Sequence, residues 1–400
     1  MWHGAVTSTG AIVKARMPAG VAARLKLRAS SGESQIIPAD PPASAGIHIA
    51  TFRLQNLIPA TRYTYALEVN GRASYYPPGV LRTFPDSGKP ASFHFAFGSC
   101  ARTGSENPVF DLIRQKEPAV FLHLGDFHYE NISRNEPRLF RAAWDTVLSS
   151  STQGALYREV PFAYVWDDHD FGPNDADGRS PARAAARTVY REFCPHYPLP
   201  GGNGDAPIHQ AFSLARVRFI MTDLRSERSP GKMRPGTGKS MMGAAQKAWF
   251  KQELLEATRT HALVFWTSSV PWIGDRLSDQ WAAYAEERRE LANFVAEHQI
   301  RNLCILCGDA HMLAADDGWE NSYADRGGPP IPVLHGSALD QGGSYKGGPY
   351  SHGYYTPAGG EGCFGWIEVQ DDGDRVTVDF TGRNDVDEVK VALKWQVARA

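Results

Sequence analysis

The 400-residue chain reads as a small all-β sandwich followed by a larger α/β domain. Three observations predict this. Residues 1–88 hold short alternating stretches separated by turn signals. From residue 89 onward, short apolar strands alternate with helical stretches, the pattern of sheets covered by helices. Those strands also end, one after another, in Cys, Asp, His or Ser, and in open α/β sheets ligands gather outside the carboxyl ends of the strands.

In the first part the strand candidates are GAIVKARM, ARLKLRAS, IHIATFRL and YTYALEV, separated by SSGES, PADPPAS and NGRAS. This spacing suits a small sandwich. Within LQNLIPATRYTYALEVNG, Leu57, Pro59, Thr61 and Tyr63 resemble the corner of fibronectin III-like domains, where a tyrosine hydroxyl bonds back to the upstream backbone. RTFPDSGKP then reads as a polar Pro/Gly linker, and the sandwich as a packing module without chemistry of its own.

In the second part, residues 89–400, FHFAF ends in GSC and is followed by a helix, NPVFDLIRQK. Asn107 suits its N-cap and Pro108 its first turn. AVFLHL ends in GD, FAYVW in DDHD, ALVFW in TSS and NLCILC in GDAH. Between the later strands, AAQKAWFKQELLEA and AAYAEERRELANFVAEH carry apolar residues at helical spacing. CFGWIEVQDDGDRVTVDF and VKVALKWQV read as closing strands with a DDGD turn.

Composition narrows the function. A formal net charge of −2 argues against a broad electrostatic hold on nucleic acid or anionic lipid. No apolar run approaches the ~18 residues of a membrane span. MWHGAVTSTG lacks the regions of a signal peptide and reads as a first strand; a cytoplasmic protein and an exported one with a trimmed leader both fit. Five cysteines do not make a disulfide framework. Cys304 and Cys307, in CILC, sit on an apolar strand where positions three apart face opposite ways, so both are expected in the core.

The polar strand ends limit the chemistry. Cys100, Asp126, Tyr129 and His311 offer a thiolate, a carboxylate, a phenolate and an imidazole, an anionic set suited to Fe³⁺. Asp126, Asn174 and Asp309 offer oxygens, suited to Ca²⁺, Mg²⁺ or Mn²⁺. A carboxylate binds two ions at once, so Asp126 is placed to bridge, and Gly125 beside it allows close backbone approach.

The strings FGSC (97–100), GDFHYEN (125–131), WDDHDFGPND (166–175) and GDAH (308–311) resemble the PhoD-type alkaline phosphatase and phosphodiesterase family. This is a branch of the calcineurin-like metallophosphoesterases related to purple acid phosphatases. The resemblance covers almost the whole chain. It implies an αββα sandwich behind the fibronectin III-like module, with iron held by Cys100, Asp126, Tyr129 and His311. It further implies calcium, or Mn²⁺, Mg²⁺ or Zn²⁺ in its place, held by Asn174 and Asp309 with Asp126 shared. The chain departs from the family in reading WDDHD rather than WDDHE, with Gly172-Pro173 ahead of Asn174. The stretch DQGGSYKGGPYSHGYYTPAGG (340–360) aligns with nothing general and is expected to line the mouth of the site.

The expected function is metal-dependent hydrolysis of a small phosphate ester, by in-line attack of a metal-activated hydroxide. His169, backed by Asp168 or Asp170, is the candidate to protonate the leaving oxygen. Arg225, in TDLRSER, is the candidate to grip a phosphate oxygen. Two alternatives are a hydrolase of phospholipid head groups and a scaffold protein with a purely structural metal site. Other features read as bystanders. PGTGKS (235–240) lacks the P-loop's first glycine, Met233 standing there, and reads as a mobile basic loop. Ser268 and Ser269 lack a nucleophile elbow and read as a strand-end loop near the metals. His123 reads as a core histidine, while His128 is a candidate to reach substrate.

Overall fold

The computed structural model describes residues 1–18, 20–41, 49–234, 238–275 and 279–397. Two sheets pack face to face at its centre. One has nine strands in the order Val389–Gln396, Val376–Asn384, Cys363–Asp371, Phe93–Gly98, Phe121–His123, Phe162–Tyr164, Trp2–Gly4, Ala11–Arg16 and Ile49–Leu54. The other has seven, in the order Gln210–Leu214, Val217–Met221, Leu263–Ser268, Leu303–Cys307, Val333–Gly336, Leu313–Asp316 and Tyr354–Tyr355. The central strands of both run parallel. They are apolar throughout because both of their faces are covered.

Between the sheets, Phe95 meets the rings of Phe219 and Phe265, each at 5.2 Å. A side chain at Gly336 of the seven-stranded sheet would meet the Phe97 ring of the other at 2.7 Å, so glycine there lets the sheets close on that ring. Helix Gly243–Thr260 packs Phe250 on Trp266 of the seven-stranded sheet. Helices Pro137–Ser149 and Gln153–Glu159 pack Trp144 and Tyr157 on Tyr164 and Phe162 of the other. Helix Pro108–Gln115 starts as expected, with the Asn107 side chain accepting the Val109 N–H. Helices outside two stacked sheets give the expected αββα layering. Cys304 and Cys307 are free and buried, in apolar clusters on opposite faces of their strand.

The first 88 residues contribute a five-stranded sheet that includes Ala23–Ala29 and Arg62–Val69. The tyrosine corner is present: the Tyr63 hydroxyl accepts the Ile58 N–H at 2.8 Å. The other strands of this part join the nine-stranded sheet, Gly4 pairing in parallel with Phe162. Trp2 Nε1 donates to Phe193 O, and Lys14 Nζ to the Arg191 and Glu192 carbonyls. Lys14 thereby satisfies acceptors that a helix leaves open at its C-terminus. RTFPDSGKP is not the free linker its composition suggests: Phe84 is buried against Phe212, and Phe84 N donates to Thr7 O. Residues 235–237 of the PGTGKS string lie outside the described residues. No helix among the described residues is long and apolar enough to cross a membrane.

Candidate metal centre

The strand ends converge between the two sheets. Parallel pairing aligns Gly98 with His123 and His123 with Tyr164, so Cys100, Asp126 and the Asp167–Asp170 turn follow side by side. The seven-stranded sheet brings Ser269 and the Asp309–His311 turn to the same place, Gly308 N donating to Ser268 O. Ser99 ties these loops together, with its hydroxyl 2.7 Å from Ser337 Oγ, 3.2 Å from Cys100 Sγ and 3.2 Å from the Asp309 N–H.

The backbone is bent hard where the donors sit. Cys100, Asp126, Asp309 and His311 all have left-handed φ, at 63°, 55°, 60° and 49°. Non-glycine residues seldom adopt this region, and each such residue costs on the order of 1–3 kcal/mol unless its surroundings compel it. Such outliers cluster at functional sites. Gly125, at φ 102°, lies against Asp167, where an added Cβ would meet the Asp167 Cβ at 2.4 Å. Glycine is therefore required for the two acidic turns to touch.

The side chains form overlapping groups of metal-ligating atoms within 4.8 Å of one another: Cys100, Asp126 and His311; Asp126, Asp167 and Asp309; Asp126, Asp168 and His169; Asp167, Asp168 and Asp279. Asp126 belongs to three of the four. The Tyr129 hydroxyl lies 2.9 Å from Asp126 Oδ2 and 3.1 Å from His311 Nε2. His311 Nδ1 donates to Gly342 O at 2.8 Å, which fixes the tautomer and turns the Nε2 lone pair toward the cluster, the usual arrangement of a ligating histidine.

The residues fit metal ions on two counts. Asp126 Oδ1, Asp168 Oδ1 and Asp309 Oδ2 are buried without a hydrogen-bond partner, although buried polar atoms normally find one. The electrostatics agree. Burial, then the Asp168 and Asp167 carboxylates, push Asp126 well above its ordinary range. Burial, then Asp126 and Asp309, push the Cys100 thiol well up, and burial, then Asp126 and Cys100, do the same to the Tyr129 phenol. So many anionic donors cannot share one buried space charged unless cations join them.

The expected residues come together only in part. Cys100, Asp126, Tyr129, Asp309 and His311 converge. Asn174 is exposed beyond the short helix Asp168–Phe171, and the carboxylate grouped with Asp126 and Asp309 is Asp167, which sequence reasoning missed. Asp168 and His169 are at the centre. Burial works against ionisation of Asp168, but Arg225 and then His169 hold its carboxyl below the ordinary range. The His169 ring stacks on Tyr129 at 4.1 Å, and its Nδ1 is 2.7 Å from Asn131 Oδ1. Asp170 instead shapes the turn, accepting from the Phe127 and Asp167 N–H groups and the Tyr164 hydroxyl.

Arg225 requires a correction. Its side chain is 0% exposed. Nε and Nη2 clamp Asp167, at 2.7 and 2.9 Å, while Nη1 donates to Ala176 O and Asp279. The planar fork that suits phosphate is spent on carboxylates, so Arg225 holds the acidic turn in place instead. Ser269 does the same, donating to Asp167 Oδ1 at 2.6 Å. His123 is a core histidine packed among Phe121, Phe127, Tyr157 and Tyr164. His128 is buried as well, 1% exposed. The 340–360 stretch does reach the centre, Lys346 Nζ lying 2.6 Å from Asp309 Oδ1. Sequence gave no signal for Lys346, or for Asp279, which also binds Arg228.

Two facing mixed sheets, helices outside, and acidic strand-end turns meeting between the sheets define a metallophosphoesterase fold. Solved structures share it. The chain superposes on a structure of PhoD with TM-score 0.74 at 17% identity, covering 100% of this chain and 91% of that one. It superposes on the purple acid phosphatase PPD1 from yellow lupin (Lupinus luteus) seeds with TM-score 0.66 at 12% identity, covering 98% and 73%. In sequence, residues 95–349 match the PhoD-like phosphatase family. The chain belongs to that family. It is 24% identical over 332 residues to alkaline phosphatase D of Bacillus subtilis (strain 168), a match covering 70% of this chain and 55% of that protein. It thus spans little more than half the length of that relative.

Proposed function

We propose that this protein is a metal-dependent phosphoester hydrolase, acting on small phosphate monoesters or diesters. One observation carries the reading: the Cys100–Asp126–His311 and Asp126–Asp167–Asp309 groups share a carboxylate whose Oδ1 is buried and unpartnered. Cys100, Asp126, Tyr129 and His311 would hold Fe³⁺; Asp126, Asp167 and Asp309 would hold a harder cation such as Ca²⁺. Asp167 thus takes the part first given to Asn174. Bound there, such cations would lower the pKa of a water nucleophile and offset charge building on the phosphoryl oxygens.

The chain's own groups do the rest. Arg225 and Ser269 fix Asp167 against Asp126. The Asn131 amide donates through Nδ2 to Tyr129 O, so its Oδ1 faces His169 Nδ1 and accepts from it. His169, stacked on Tyr129, is thereby oriented with Nε2 4.0 Å from Asp168 Oδ2. That nitrogen is the group placed to pass a proton to the leaving oxygen.

The test combines elemental analysis with hydrolysis of mono-, di- and triester chromogenic phosphates. Fully metallated protein that is inert on all of them would overturn the reading. Asp126→Asn is expected to lower occupancy of both metals and abolish turnover; near-wild-type metal and rate would reduce Asp126 to a turn former.

A further inference from the structure

We propose that Lys346 is the residue that grips the substrate's phosphate, and that it favours a terminal phosphate over a diester; this rests on the hydrolase reading above. Phosphate needs a cation at the mouth of an otherwise acidic site. Among the described residues, three Lys or Arg side chains pair with the acidic cluster. Arg225 and Arg228 are 0% and 2% exposed and bound to Asp167 and Asp279. Lys346 is 37% exposed. One ammonium proton goes to Asp309 Oδ1, and the group has two further donors.

Its position is built. The strap that carries it is tied to the cluster's own turns at several points. Leu339 N donates to Ser99 O, Arg102 N to Asp340 Oδ1, and Ser344 N and Oγ to the His311 and Ala310 carbonyls. The Tyr350 hydroxyl holds the Lys346 carbonyl at 3.1 Å. Next to it, Gly347 has φ 79°, and an added Cβ would meet Ile273 O at 2.3 Å. The backbone on both sides of Lys346 is therefore fixed, and its ammonium arrives over Asp309 already placed. A terminal phosphate brings two negative charges to that ammonium and a diester brings one, so the monoester gains more from it.

The experiment compares wild type, Lys346→Met and Lys346→Arg as metallated full-length protein. It measures KM and kcat on p-nitrophenyl phosphate and bis(p-nitrophenyl) phosphate, inorganic phosphate binding by calorimetry, and metal content. Lys346→Met is expected to raise KM for the monoester roughly tenfold or more, as loss of a charge-assisted contact predicts. The diester KM should rise less, phosphate binding should weaken in step, metal content should hold, and Lys346→Arg should recover most of the loss. Unchanged KM and phosphate affinity, equal losses for both esters, equal failure of Arg and Met, or loss of metal in Lys346→Met would each overturn the proposal. If wild type hydrolyses neither ester, the hydrolase reading fails, while the phosphate-binding arm still decides the role of Lys346.

Discussion

Tyr129 shows how much one residue is asked to do. Its hydroxyl touches both Asp126 and His311, and its ring carries His169. A phenol of ordinary pKa about 10 stays neutral near pH 7, and burial followed by the Asp126 and Cys100 charges raises this one further. Only a strongly polarising ion would turn it into a phenolate. If Fe³⁺ sits there, the protein should show a visible charge-transfer band. Tyr129→Phe keeps the ring that His169 stacks on and removes only the oxygen, so melting should change little while the band shifts or fades. Identical iron content, spectrum and rate would make Tyr129 a packing residue. The residue pair Asp167 and Asn174 marks where sequence reading stopped. Spacing shows that WDDHDFGPND carries several oxygens, but which of them turns inward depends on the chain leaving its strand at Asp167, with φ −120° and ψ −152°. Asp170 closes that turn locally on the Asp167 N–H, but the groups that hold the Asp167 carboxylate, Arg225 and Ser269, lie far along the chain. Arg225 was legible as a fork after a strand, but its partner Asp279 lies far along the chain.

At the scale of elements, the strand-end turns were legible because each apolar run stops abruptly at a polar residue, a signal that needs no partner. The strap around Lys346 was legible only as a lining of the mouth; the place of Lys346 was not, since its conformation is set by bonds to turns distant in sequence. Gly125 exposes the geometry of a turn most directly. It combines φ 102° with a would-be Cβ contact of 2.4 Å to Asp167. Gly125→Ala should force the GD turn and the DDHD turn apart. We expect a loss of about 1–3 kcal/mol from backbone strain, read as a lower urea midpoint, together with loss of metal. Wild-type stability and metal content in this variant would show that the two turns need not touch.

Across the whole molecule, buried neutral histidines set a limit on acid stability. Burial lowers His3 to about 4, and His123 and His335 to about 3, from an ordinary value of about 6.5. As pH falls below about 6.5 the unfolded chain binds protons that the folded chain refuses, so stability rises with pH through this window. It should be full above about pH 6.5 and decline as the pH approaches 4. Urea unfolding at a series of pH values checks this, and a midpoint flat from pH 7 to 4.5 would contradict it. His123→Phe, placed among aromatic rings, should remove part of the slope.

The pairing of Gly4 with Phe162 makes the first 88 residues a guard as well as a neighbour. Cut the chain there, and Phe162–Tyr164 becomes an open edge whose backbone donors and acceptors offer themselves to any passing strand. Trp2 would leave with the cut, uncovering Phe193. Residues 89–400 expressed alone should therefore associate into higher oligomers, visible by light scattering, even though every candidate metal ligand is retained. A soluble, monomeric 89–400 that melts with the full chain would mean that the two stacked sheets and their helices can seal that flank themselves.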